Sequence, residues 1–262
     1  MLQETKKIEK VSINEITIEQ IASICDHTFL ERVENFRDAI KEGKSAIQSR
    51  EKSFHAFLEH TLNLPSLPYA LCIRPEDCSY VYRFLKTHRL DKDIAVCSVV
   101  GFPDGNAYSH NFKKMESHLA IEAGAKEIDT TLPFKNLKKG DLRFVETNIL
   151  SVSKICRTNN VKLKLIIESS ELTTDEIQLA CRIAKNSGVD FIKTSSGFSS
   201  KGASLEALKT IRKYFPGGIK ISGGVKKENF KDFLHVLSEN SDGKIHLNPK
   251  NLRIGESKLL NP

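Results

Sequence analysis

Short apolar runs rich in β-branched residues recur along the chain, and each is followed by a stretch whose apolar positions repeat every three to four residues. The first pattern predicts buried strands and the second amphipathic helices. Runs of strand type stand at 22–26, 69–73, 94–101, 127–132, 162–168, 190–194, 218–222 and 251–255. Helical periodicity is clear at 75–88, 111–123, 142–158, 174–187, 204–214 and 226–237. Boundary residues agree: Thr173 or Thr174 with Glu176 predicts an N-cap, and Gly124 and Gly188 stand where helices stop in left-handed caps. Eight βα units without a linker or low-complexity stretch predict a closed (β/α)8 TIM barrel, with a doubly wound open sheet as the alternative.

One stretch breaks the beat. Segment 31–63 is charged, helical and much longer than an ordinary first crossover, so one or two extra helices are expected after the first strand, lying across the outside of the barrel. The expected organisation is an N-terminal extension over 1–20 and one barrel domain over 21–262. The longest apolar runs, such as 94–102, are too short to cross a bilayer, and the charged start MLQETKKIEK shows no signal segment. A cytoplasmic protein is expected.

Charge and cysteines narrow the chemistry. The formal charge of +7 comes from lysines spread over helical faces rather than gathered with aromatics, which argues for a solvated basic surface and against nucleic acid. The same field favours an anionic substrate. Cys25, Cys72, Cys78, Cys97, Cys156 and Cys181 form no CxxC pair and have no paired histidines nearby, so neither zinc nor another metal is expected.

In a barrel the active site lies where the strands end, so the polar residues there carry the function. Those ends hold Asp26, His27 and Thr28, then Cys72, the turn 101–105, Asp129, Lys164 with Glu168, Lys193, Lys220 with Gly223 and Gly224, and finally Glu256 and Ser257. Lys193 follows an apolar run and precedes hydroxyls and a glycine in DFIKTSSGF, and Lys220 repeats that setting in GIKISGG. A lysine at a strand end commonly keeps its head in water. Two on neighbouring strands form a like-charge pair, which stability alone does not favour and which would depress one pKa towards a nucleophilic amine.

DFIKTSSGF (190–198), EIDTTLPF (127–134), VGFPDGN (100–106), LKLIIESSEL (163–172) and GIKISGGVK (218–226) together resemble the deoxyribose-phosphate aldolase family of class I aldolases. The resemblance runs from about 24 to 260 and is specific, because five motifs occur in the family's order and spacing. It implies that Lys193 is the Schiff-base lysine, Lys220 the lysine that lowers its pKa, and Asp129 the acid that moves protons through water. It implies that Asp26, Thr28, Cys72 and Lys164 line the pocket. Gly197, Gly223 and Gly224 match glycines whose amides hold the phosphate, and Ser257 lies in the corresponding last loop. The implied reaction is reversible cleavage of 2-deoxyribose 5-phosphate to glyceraldehyde 3-phosphate and acetaldehyde, without a metal or organic cofactor. A homodimer is expected.

Two departures stand out. Glu256 and Lys258 occupy positions where small or hydroxyl residues are common in the family, and the chain ends in Asn261 and Pro262 rather than a tyrosine. A carboxylate beside a phosphate weakens binding unless it turns away or pairs with Lys258. Alternative readings are a Schiff-base aldolase with another phosphorylated sugar, differing around Phe198 and Ser257, and a non-catalytic barrel. The latter would be expected to lack Lys193, Lys220 or Asp129, and all are present.

Overall fold

A computed structural model describes residues 10–238, 242–256 and 258–260. The strands are β1 (Lys10–Ser12), β2 (Cys25–Thr28), β3 (Ala70–Ile73), β4 (Ala95–Val100), β5 (Glu127–Thr131), β6 (Lys162–Ile166), β7 (Phe191–Lys193), β8 (Gly218–Ser222), β9 (Lys244–His246) and β10 (Leu252–Glu256). The helices are α1 (Ile18–Ala22), α2 (Asp38–Lys41), α3 (Ala46–Leu62), α4 (Cys78–Thr87), α5 (His110–Glu122), α6 (Phe134–Lys138), α7 (Leu142–Thr158), α8 (Thr174–Asn186), α9 (Leu205–Tyr214) and α10 (Phe230–Leu237).

Strands β2 to β8 and β10 close a parallel barrel. Closure falls on β10, where Ile254 pairs with Cys25 on one side and Ile221 on the other, so the open-sheet alternative is excluded. The first barrel strand starts later than its apolar run suggests. Residues 18–22 instead form α1, because Thr17 and Gln20 make a reciprocal capping box. Thr173 and Glu176 do the same at α8, and Gly124 and Gly188 hold φ of 107° and 70° at helix ends, as their positions suggested.

Alternation along each strand splits the buried residues into two sets. Residues facing outward, among them Ile128, Leu163, Leu165, Ile192, Ile219, Ile221 and Ile254, meet the helices in one large apolar core. The inner set is small: Leu30, Ala70, Cys72, Cys97, Val99, Phe102 and Ile166. Most of the remaining interior is charged.

Segment 31–63 contains a 3-10 turn at Val33–Phe36, α2 and α3. Helix α3 carries the chain from β2 to its parallel neighbour β3, burying Phe54 and Leu58. Arg50 fastens it down, donating to Asp77 at 2.5 and 3.0 Å and lying over the Phe29 and Phe54 rings. One flank of α3 borders the barrel mouth, whereas the sequence suggested a place on the outside. Outside the barrel, β1 pairs antiparallel with β9. The helix expected at 226–237 begins only at Phe230. Residues 226–229 form a turn in which Asn229 Nδ2 donates to Gly224 O, bracing the double-glycine bend.

Candidate active site

Side chains that face inward from five strands converge on the carboxylate of Asp129 on β5. Its Oδ2 accepts from Lys193 Nζ at 3.1 Å and Lys220 Nζ at 2.8 Å, and its Oδ1 from Lys164 Nζ at 2.9 Å and the Cys97 thiol at 3.1 Å. Cys72 Sγ lies 3.9 Å from Oδ2. Asp26 continues the network, with Oδ2 at 2.6 Å from Lys220 Nζ and Oδ1 at 2.6 Å from Arg253 Nη1. Below them Glu127 pairs with Arg253 at 2.6 Å and Lys164 at 2.5 Å. Asp26, Cys72, Asp129, Lys164, Lys193 and Lys220 are thus brought together; of the four residues expected to line the pocket Thr28 does so, whereas Asp26, Cys72 and Lys164 lie fully buried beneath it.

Burial penalises every one of these charges, and the partners decide the outcome. Burial raises the pKa of Asp129, but the Lys164, Lys220 and Lys193 ammoniums outweigh it and hold the carboxyl well below the usual range. Asp26 is lowered in the same way by Lys220, Lys164 and Arg253. Burial lowers Lys220 and Lys164, yet their carboxylates prevail and both end well above the ordinary lysine value. Lys220 is a fixed cation, because Asp129 and Asp26 both face it. Four cations (Lys164, Lys193, Lys220, Arg253) meet three carboxylates (Asp26, Glu127, Asp129), a surplus of one positive charge. Among the described residues Lys193 has one carboxylate, Asp129, within ion-pair distance, and it alone of the four cations lines the cavity above.

That cavity, about 940 Å³, opens at the ends of the strands. Lys193, Thr28, Gly197, Gly223, Gly224 and Gly255 line it, with Ser53, Ala56, Phe57 and His60 of α3 as one wall. Gly197, Gly223 and Gly224 take φ of 87°, 78° and 75°, a left-handed backbone that glycine adopts at least cost. At Gly223 a Cβ would also lie 3.0 Å from Ser195 Cβ. Thr28 directs its hydroxyl back to Asp26 O at 2.8 Å. Ser257 falls outside the described residues.

Glu256 turns away from the cradle. Its Oε1 lies 3.1 Å from His27 Nδ1, and its Oε2 accepts from the Leu259 amide. Alternation causes this, because Gly255 faces inward and its neighbour must face out. His27 faces outward for the same reason and stacks on Phe57 at 4.6 Å. The lysines at the rim are Lys226, Lys227 and Lys258.

Glu127, Arg253 and Cys97 were not singled out in the sequence. Their signal was parity: Glu127 precedes Asp129 by two positions and Arg253 precedes Gly255 by two, so each shares an inward face. Phe102 was read only as part of a turn; its ring centroid lies 6.0 Å from Lys193 Nζ and meets Phe198 edge-on at 5.2 Å. Cys72, Cys97 and Asp129 hold possible metal-ligand atoms within 4.8 Å of one another. Lysine ammoniums already occupy both Asp129 oxygens, so a metal there would have to displace one.

A family model described as DeoC/LacD family aldolase matches residues 29–245. A protein of Treponema denticola named deoxyribose-phosphate aldolase is 37% identical over 203 residues, covering 77% of this chain and 84% of that one. Its namesake in Thermococcus gammatolerans is 35% identical over 208 residues, covering 79% and 84%. Among solved structures, the tetrameric deoxyribose phosphate aldolase of Aeropyrum pernix superposes with a TM-score of 0.65 at 19% identity, covering 95% of this chain and 93% of that one.

Proposed function

The chain belongs to the DeoC/LacD family of aldolases, and we propose that it reversibly cleaves 2-deoxy-D-ribose 5-phosphate to D-glyceraldehyde 3-phosphate and acetaldehyde through a Schiff base on Lys193. The observation that carries this reading is the position of Lys193. Its amine lines the cavity while its one carboxylate, Asp129, is shared with the fixed cations Lys220 and Lys164.

Lys193 Nζ adds to C1 of the open-chain sugar, and loss of water gives an iminium. The C3 hydroxyl then gives up its proton, the C2–C3 bond breaks, and its electron pair flows into the iminium as an enamine. Glyceraldehyde 3-phosphate leaves, the enamine is protonated at C2, and hydrolysis frees acetaldehyde and the amine. Asp129 serves proton transfer through water. The Lys164, Lys220 and Lys193 ammoniums outweigh burial and keep it ionised, the form that accepts a proton. Asp26 and Lys164 hold Lys220 and Asp129 in register, while Thr28 and Cys72 face the reacting carbons. The phosphate rests on the amides around Gly197, Gly223 and Gly224, where glycines permit close backbone approach.

The reading extends to one catalytic domain over 21–262 behind an extension over 1–20, acting in the cytoplasm as a homodimer. The six cysteines are free and buried, which fits a reducing compartment. Among the described residues no helix is long and apolar enough to cross a membrane. Sedimentation equilibrium distinguishes the dimer from the tetramer reported for the Aeropyrum pernix protein.

The test is borohydride reduction in the presence of 2-deoxyribose 5-phosphate or acetaldehyde, followed by peptide mass mapping. The expected result is one reduced adduct, on Lys193. Folded protein that gives no adduct, or an adduct on another lysine, overturns the proposal.

A further inference from the structure

Cys72 and Cys97 stand directly opposite each other on β3 and β4, and both face into the barrel. Adjacent strands run about 4.8 Å apart, inside the roughly 4.4–6.8 Å Cα separation that a disulfide spans. Their sulfurs already lie within 4.8 Å of each other and of an Asp129 oxygen. We propose that Cys72 and Cys97 form an oxidisable dithiol inside the barrel, which a hydroperoxide closes to a disulfide.

The two thiols are unequal in the way such a pair requires. The adjacent Cys97 sulfur lowers the Cys72 thiol to about 7 against the effect of burial, and the Lys220 and Lys193 charges assist. Burial pushes Cys97 well above the ordinary thiol value. It does the same to Cys25, and drives Cys78, Cys156 and Cys181 to about 12. Cys72 is therefore the one thiol of the six poised as a thiolate. It lies 3.9 Å from the Asp129 oxygen that Lys193 contacts, so a passage that admits a two-carbon aldehyde to Lys193 brings the smaller peroxide close to Cys72.

The chemistry balances. The Cys72 thiolate attacks one peroxide oxygen, the O–O bond breaks, and Cys72 sulfenic acid forms as hydroxide leaves. The Cys97 sulfur then displaces the sulfenic hydroxyl, the S–S bond forms, and the Cys97 proton leaves in water. Two thiols lose two electrons and two protons, and the peroxide becomes two waters. Closure takes the Cys97 proton donor away from Asp129 Oδ1 and the Cys97 acceptor away from Lys164, whose Nζ lies 3.3 Å from Sγ. Turnover should fall on oxidation and return with a dithiol reductant.

Purified protein is treated with hydrogen peroxide, free thiols are alkylated under denaturing conditions, and peptides are mapped by mass. The expected product joins the Cys72 and Cys97 peptides, lighter by two hydrogens, and dithiothreitol separates them. In Cys97→Val the cross-link is absent and Cys72 proceeds to sulfinic acid, which dithiothreitol does not reverse. The wild-type result decides even where that variant fails to fold. Wild-type protein in which Cys72 reaches sulfinic acid beside a free Cys97, in which another cysteine oxidises first, or in which neither reacts, overturns the proposal. The mass readout is independent of which sugar phosphate the enzyme cleaves.

Discussion

Lys193 and Lys220 are register partners on β7 and β8, and both direct their ammoniums at one oxygen, Asp129 Oδ2, from 3.1 and 2.8 Å. Two like charges persist side by side because the anion lies between them, and because Asp26 takes a second share of Lys220 at 2.6 Å. The pair is asymmetric: Lys220 has two carboxylates and is walled in, whereas Lys193 has one and faces the cavity. Substrate can bond to one of them while the other stays charged.

Lys220→Met keeps the length of the side chain and removes its charge. We expect kcat to fall on the order of 10²–10⁴-fold, the range of a lost proton-transfer partner. Borohydride should still trap Lys193, more slowly. Asp26 and Asp129 each lose a counter-ion in a dry interior, so urea denaturation should show a loss of about 3–5 kcal/mol. An unchanged kcat would remove Lys220 from the chemistry.

Arg253→Met separates scaffold from site. Arg253 is almost fully buried, bonds Asp26 and Glu127 at 2.6 Å each, and stacks 3.5 Å from the Tyr69 ring centroid. It does not line the cavity. Its loss leaves buried carboxylates short of a partner, at a cost of about 3–5 kcal/mol. KM should change less than twofold. A large KM change with little loss of stability would contradict a scaffold role.

Lys113 makes the stability depend on pH. Buried on α5, it donates to Thr131 O at 2.5 Å and Asn148 Oδ1 at 2.7 Å, and burial lowers its pKa to about 7, against the raising effect of Asp104 and Glu116. The unfolded chain therefore binds this proton more tightly, and stability rises with pH from about 7 towards the ordinary lysine value near 10.4. Cys72, also lowered to about 7, acts in the same direction, whereas the raised thiols oppose it above about 8.5. Between pH 7 and 8.5 the wild-type slope should exceed that of Lys113→Met by up to about 1.4 kcal/mol per pH unit. Chemical denaturation across that window measures the difference; parallel slopes would show that Lys113 is not the source.

Lys258 lines the same cavity as the glycines proposed to hold the phosphate. Among the described residues no carboxylate lies within ion-pair distance of it, and its neighbour Leu259 donates its amide to Glu256. Lys258→Met should raise KM for 2-deoxyribose 5-phosphate about tenfold, or 1.4 kcal/mol. The kcat/KM for unphosphorylated 2-deoxyribose should not change. Equal losses on both substrates would assign Lys258 a structural role.

The chemistry was legible where strand alternation and strand ends coincide. Asp129, Lys164, Lys193 and Lys220 are polar residues within apolar runs, and such residues face the inside of a barrel. Glu127 and Arg253 obey the same parity but sit deeper, where an apolar filling is the default, so their charges carried no meaning until Lys164 and Asp26 were placed beside them. The orientation of Glu256 depends on His27, its partner across the closure of the barrel, and nothing local in RIGESK specifies a contact with a strand more than two hundred residues earlier. The late start of β2 has a local cause: the apolar residues Ile21, Ala22 and Ile24 suit a buried helix end as well as a strand.

Translation meets the parts of this barrel in an awkward order. Strand β2 pairs with β10 at the end of the chain, and β1 pairs with β9, so the first strands made wait for the last. Until β10 emerges, β2 presents a bare ladder of amides and carbonyls, the kind of edge that recruits strands from other chains. Seven of the eight barrel strands can assemble during synthesis, but closure is a post-synthetic step of long sequence separation and correspondingly slow. A chain cut short before Leu252 would therefore be an aggregation hazard rather than a slightly smaller enzyme.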